Sequence, residues 1–183
     1  MDLGTLFTKA IALCTLFGNA FILALLLAFI IARPIQVLIM RFAARNALCL
    51  GLLVSAASTI GSLLYSEVVG FPACILCWTQ RIFMYPLMFL FALALVRKEK
   101  HIIPYAFMLS VIGALVAAYQ WVKDMLLVYS HVTIPCPAVT SLPSCDKIYV
   151  LEYGYITIPM FSLNAFVLIA ILTYAAMRIQ KEA

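Results

Sequence analysis

Five apolar runs separated by short polar clusters make up most of this chain: Ile11–Ile31, Asn46–Ser66, Cys77–Val96, Ile102–Val122 and Ile156–Met177. Each is close to the ~20 residues a helix needs to cross a hydrocarbon core about 30 Å thick. A bilayer offers no partners to free backbone groups, so such runs are predicted to be helices. The third run is the least uniform, because Arg81 interrupts it near one end. The longest polar stretch, 123–155, follows the fourth run and contains Pro135, Pro137 and Pro143, which oppose regular structure. Within it, Ile148–Tyr153 mixes apolar and aromatic residues with one acid. That pattern suits a short interfacial amphipathic helix or an ordinary loop equally well.

Composition sets the class. The chain is 67% hydrophobic and only 10% charged, against about 25% charge in a soluble domain. The expected fold is an all-α integral membrane protein. A net charge of +5 would suit a nucleic-acid partner, but the basic residues sit in short clusters between apolar runs, as in cytoplasmic membrane loops. Arg33, Arg41, Arg45, Arg97, Lys98, Lys100, Arg178 and Lys181 fall on one side, which makes eight of the 12 Lys and Arg. Lys9, Lys123 and Lys147 fall on the other, with Arg81 at the membrane edge. The positive-inside rule then puts the N-terminus outside and the C-terminus in the cytoplasm. Aromatic residues such as Phe71, Trp78, Trp121 and Tyr155 collect near the outer boundary, where amphipathic rings anchor. The first run has 21 apolar-rich residues, longer than the core of about 7–15 in a cleavable signal. It is expected to be a retained helix.

The six cysteines divide into two kinds. Cys14 and Cys49 lie inside apolar runs and read as small buried hydrophobes. Cys74 and Cys77 form a Cys-x-x-Cys just after the turn-like Gly70-Phe71-Pro72-Ala73, and Cys136 and Cys145 lie in the proline-rich stretch. The charge pattern puts both pairs on the outer side, where an oxidising compartment lets disulfides persist. Three readings of the Cys-x-x-Cys compete. Zinc binds thiolates at this spacing, although no second Cys-x-x-Cys accompanies it. A structural disulfide closing so short a ring would constrain the unfolded chain little. A redox couple fits the motif because it lowers a thiol pKa. Attached haem would need His after the second cysteine, where Trp78 stands.

Arg81 is four residues past Cys77 and so one helical turn deeper on the same face. A cation there is costly. It either snorkels back to the interface or serves a polar group beside Cys77, whose thiolate it would also stabilise. Pro86 removes one helical hydrogen bond and predicts a kink in the third helix. Gln80 and Gln120 read as interhelical hydrogen-bonding residues, and His101 and His131 as solvated surface.

Cys74-Ile75-Leu76-Cys77-Trp78-Thr79-Gln80-Arg81, continuing Ile82-Phe83-Met84-Tyr85-Pro86-Leu87, resembles the DsbB family of disulfide bond formation proteins, and within it the BdbC-type subgroup. Pro143-Ser144-Cys145-Asp146-Lys147 and the stretch from Gly154 through Thr157-Ile158-Pro159, Ser162-Leu163 and Ala165-Phe166 carry the same resemblance. It covers about residues 46–177. Thr79 stands where the subgroup commonly has Tyr, and residues 1–45 lie outside the match.

The resemblance implies a four-helix transmembrane bundle over 46–183, with an outer loop at 123–155. To this the chain adds an extra N-terminal helix and a basic cytoplasmic loop at 1–45. It implies a bacterial inner-membrane enzyme that reoxidises a DsbA-like thioredoxin-fold partner and passes electrons to ubiquinone or menaquinone. Cys136 would be attacked by the partner, and Cys145 would move electrons on to Cys74–Cys77. Cys77 would face the quinone, with Arg81 on a quinone oxygen. No metal and no nucleic acid are expected. Two alternatives remain at this point: a four-cysteine metal site in a membrane subunit, and a reductase like vitamin K epoxide reductase. The latter family usually places its loop pair before its membrane pair, the reverse of the order here.

Overall fold

The computed structural model describes residues 3–31, 33–134 and 143–182. The chain folds into five long helices: α1 (Leu3–Ile31), α2 (Arg33–Leu63), α3 (Ile75–Arg97), α4 (Ile103–Ser130) and α5 (Ile158–Glu182). All five are long and apolar enough to cross a membrane. No strand forms among the described residues, apart from one isolated bridge between Glu152 and Ile156.

The helices extend beyond the apolar runs. Residues 33–45, expected as a basic loop, form the first turns of α2. Pro34 favours this, because its fixed φ suits a first helical turn, where its missing N–H has no helical partner to lose. At its other end α2 widens into a π-helical turn, Leu64–Val68. α3 continues through Pro86 without ending. It stops at Lys98, whose left-handed φ of 54° caps the helix. α4 runs past Lys123 and Asp124 to Ser130, so the outer segment begins at His131 rather than at 123.

Of the two forms expected for 148–153, the loop is the one found. Tyr153 and Gly154 turn the chain at φ 52° and 80°, and Glu152 and Ile156 exchange two backbone hydrogen bonds of 2.9 Å. Tyr129 Oη donates to the Gly154 carbonyl (2.8 Å) and Trp121 Nε1 to that of Tyr155 (2.9 Å), which fastens the turn to the end of α4.

The apolar core lies where α3, α4 and α5 meet, around Leu87, Phe91, Ala106, Ala117, Phe166 and Ile169, with Leu48 and Leu52 of α2 against it. Two glycines allow the close approach. A Cβ on Gly51 would sit 2.7 Å from the Phe91 ring, and one on Gly113 would overlap the Phe166 ring. Large apolar side chains such as Phe17, Phe89, Val96 and Leu115 point outward, while Ser55, Ser110 and Thr173 are fully buried. The hydroxyls of these three residues return to backbone carbonyls of their own helices.

Candidate functional site

The end of the helix group where α3 begins and α4 ends holds a cavity of about 460 Å³. Cys74, Cys77, Arg81 and Cys145 all line it, so α3 and the outer segment meet there. Cys136 lies outside the described residues. Cys145 is disulfide-bonded, whereas Cys14, Cys49, Cys74 and Cys77 are free.

Cys74 is the residue before the first turn of α3, and Cys77 is within that turn. A helix N-terminus presents unsatisfied N–H groups and a partial positive charge. The sulfurs of Cys74 and Cys77 are 3.2 Å apart, within hydrogen-bonding distance of each other. The Cys77 thiol first, then the N–H groups of Cys77 and Leu76 and last the amide of Gln120, together lower the Cys74 pKa to about 6 against the opposing effect of burial. Those backbone groups act from nearby, short of a capping hydrogen bond.

Gln120 makes the interhelical hydrogen bond expected from sequence and, beyond it, is a donor to both sulfurs. Its Nε2 donates to Cys77 Sγ (3.5 Å) and Cys74 Sγ (3.6 Å). Its Oε1 accepts from Gln80 Nε2 at 2.7 Å. Gln80 Oε1 in turn accepts from the Ser162 hydroxyl. The donors are thus ordered along one chain, from α5 through α3 to α4, and the amide hydrogens of Gln120 are aimed at the sulfurs. Nothing local in the sequence marks this, because Gln120 is 46 residues from Cys74.

Arg81 is buried, 8% exposed, and does not snorkel. Its Nε donates to Ser62 Oγ (2.9 Å) and its Nη2 to the Ser62 carbonyl (3.0 Å), while its guanidinium lies 5.0 Å from the Trp78 ring centre. No carboxylate is within ion-pair distance of it among the described residues. The Nη1 hydrogens have no partner among those residues either. The Tyr85 hydroxyl, also on the cavity wall, is buried and unpartnered. So are those of Tyr65 and Thr157, which have Thr8 and Asp124 close by but out of bonding geometry. An apolar cavity with this many unused donors suits a flat apolar molecule bearing oxygen acceptors.

Lys123 fixes the outer segment. Its ammonium, 3% exposed, meets the Asp146 carboxylate at 2.5 Å, next to Cys145. Ser144 also donates to Asp146 (2.9 Å). These donors hold the Asp146 pKa below the usual carboxylate range. Among the described residues no three His, Cys, Asp or Glu side chains gather as a metal-ligand set.

Residues 44–176 match the family described as disulfide bond formation protein DsbB. The chain belongs to the DsbB family. Among its relatives, "Probable disulfide formation protein C 1" of Bacillus anthracis is 34% identical over 121 residues, which is 66% of this chain and 84% of the relative. "Disulfide bond formation protein C" of Bacillus subtilis (strain 168) is 34% identical over 118 residues, 64% of this chain and 83% of its own length. "Probable disulfide formation protein" of Metapseudomonas resinovorans reaches 38% over 127 residues, 69% and 86% of the two chains. No solved structure matches. As a DsbB-family protein with five spanning helices, the chain is a multi-pass bacterial membrane protein and a thiol–disulfide oxidoreductase. The family match runs from Ala44 in α2 to Ala176 in α5 and leaves α1 outside.

Proposed function

We propose that the protein reoxidises a soluble, DsbA-like thioredoxin-fold dithiol protein and passes its electrons to a membrane quinone. One observation carries this reading: the Cys-x-x-Cys, the outer-segment Cys145 and an unpaired guanidinium share a single cavity. In this reading α2–α5 are the four-helix catalytic unit of residues 46–183, and α1 with the basic segment up to residue 45 is an addition. The cavity end faces the periplasm or cell exterior, with the N-terminus outside and the C-terminus in the cytoplasm of the inner membrane. The eight basic residues of the opposite ends support that orientation.

The chemistry is two successive thiol–disulfide exchanges, each by thiolate attack through a mixed disulfide. The partner's thiolate attacks the Cys136–Cys145 bond at Cys136. The partner leaves oxidised and the loop pair is left as two thiols. The loop pair then exchanges with a Cys74–Cys77 disulfide, regaining its own bond and leaving Cys74 and Cys77 reduced. Re-forming the Cys74–Cys77 bond releases two electrons and two protons, and a bound quinone supplies the acceptor for both.

This chain's residues do the rest. Gln120 and the α3 N-terminus favour the thiolate at Cys74, the reactive form of the reduced pair. Cys77 is the sulfur on the Arg81 face, and Arg81 would hold an acceptor oxygen through its remaining N–H groups. The apolar walls exclude water, which strengthens that interaction. Purified protein given a reduced thioredoxin-fold partner is expected to bleach ubiquinone or menaquinone, and Cys77→Ser to abolish this. Undiminished turnover by Cys77→Ser would overturn the assignment.

A further inference from the structure

Helix α1 lies outside the family match, yet its Ile11, Cys14, Thr15 and Gly18 form one wall of the cavity that holds the redox cysteines. It is fastened in place at three points. Asn164 Nδ2 of α5 donates to the Thr15 carbonyl (3.4 Å), and Asn19 Nδ2 donates to Tyr155 Oη (3.4 Å). The Phe7 ring meets that of Tyr65 at 5.2 Å. Tyr65 is 5% exposed, lines the same cavity and carries an unpartnered hydroxyl. Three of the four wall-forming residues, Cys14, Thr15 and Gly18, are small. A Cβ at Gly18 would make an ordinary contact with Asn164 Nδ2 at 3.9 Å, so a methyl fits there and a larger side chain would run on into the cavity. The bulky side chain between them, Phe17, is 72% exposed and faces away.

We propose that α1 is the specificity wall of the quinone site. Thr15 and Gly18 bound the space taken by the apolar ring, and Cys14 flanks it. α1 then sets how tightly the acceptor binds while taking no part in thiol exchange. This rests on the quinone reading above. A large side chain added at Gly18 would overfill the space the ring needs, so binding should suffer and the sulfur chemistry should not.

The test uses the full chain in lipid nanodiscs with fully substituted short-chain ubiquinone and menaquinone, titrated separately. Binding is followed by quenching of intrinsic tryptophan fluorescence. Thr15→Phe and Gly18→Phe are expected to weaken binding of the quinone that serves the native chain by about tenfold and to raise its KM similarly. The KM for the reduced thioredoxin-fold partner should stay unchanged. The control Phe17→Leu should alter neither. A second measurement needs no variant: alkylation of Cys14 by a permeant maleimide, read by mass spectrometry, with Cys49 as internal reference. Cys49 does not line the cavity. Bound quinone is expected to slow Cys14 labelling and leave Cys49 untouched. Native quinone affinity in both Phe variants, or equal labelling of Cys14 with and without a quinone that binds and is reduced, overturns the role of α1. A native chain that neither binds nor reduces either quinone overturns the quinone reading itself, and the role of α1 with it.

Discussion

Cys74 owes its low pKa first to one neighbour, the Cys77 thiol, and only lastly to Gln120. Cys77→Ala should therefore raise the Cys74 pKa further than Gln120→Leu does. For Gln120→Leu the rise should be about one unit, the low end of what a hydrogen bond to a charged group contributes, roughly 1.5–3 kcal/mol at ~1.4 kcal/mol per unit. The pH dependence of iodoacetamide alkylation of the reduced protein measures both, and the reverse ranking would refute this account of the pair. Arg81→Lys keeps the charge but loses the planar fork that grips Ser62. Turnover with quinone should fall about 100-fold, while exchange with the partner dithiol is spared. Stopped-flow kinetics of the two half-reactions separates them. The two cysteine pairs and Arg81 stood out in the sequence because thiols at short spacing and a cation beside an apolar run are chemically conspicuous. Gln80 and Gln120 were legible as interhelical hydrogen-bonding residues but not as part of the sulfur site, and Ser162 in neither role. Their meaning lies in contacts between helices 40 or more residues apart, and no local pattern records those.

At the level of elements, hydropathy located five helices and misplaced their ends. An apolar run ends where contact with lipid ends, but a helix ends where its backbone stops being satisfied. α4 illustrates the difference. Lys123 and Asp124 closed the apolar run, yet the helix continues to Ser130 because Lys123 turns inward onto Asp146. The same contact makes a pH prediction. The folded pKa of Asp146 is depressed, so its stabilising effect is present above the unfolded value of about 3.9 and is lost as pH falls through the lower folded value. Protease cleavage within 131–157 should thus stay slow at neutral and mildly acidic pH and rise only in stronger acid, whereas Asp146→Asn should be cut readily at neutral pH. Packing between helices gives a further test. Gly113→Val drives a side chain into the Phe166 ring and should cost about 1–3 kcal/mol of stability, read as a lower melting temperature in detergent. Gly61, beside open space, should tolerate the same change far better.

The molecule as a whole is apolar outside and polar at selected points inside, which suits a hydrocarbon solvent. The proposed orientation rests on the basic ends. A membrane-impermeant maleimide applied to intact cells should label His131→Cys and leave Lys100→Cys unlabelled, with the opposite result inverting the topology. The Lys123–Asp146 contact also has a consequence for the working cycle. In the proposed cycle Cys145 passes between its loop partner Cys136 and the recessed Cys74–Cys77 pair. Any excursion of the segment away from α4 parts a nearly sealed ammonium from a partly exposed carboxylate, which is unfavourable. The journey out must be driven by docking energy, whereas the journey home is spontaneous. Cys145 is therefore delivered back to the recessed sulfurs as soon as the soluble partner departs, so each round of exchange resets without a separate signal.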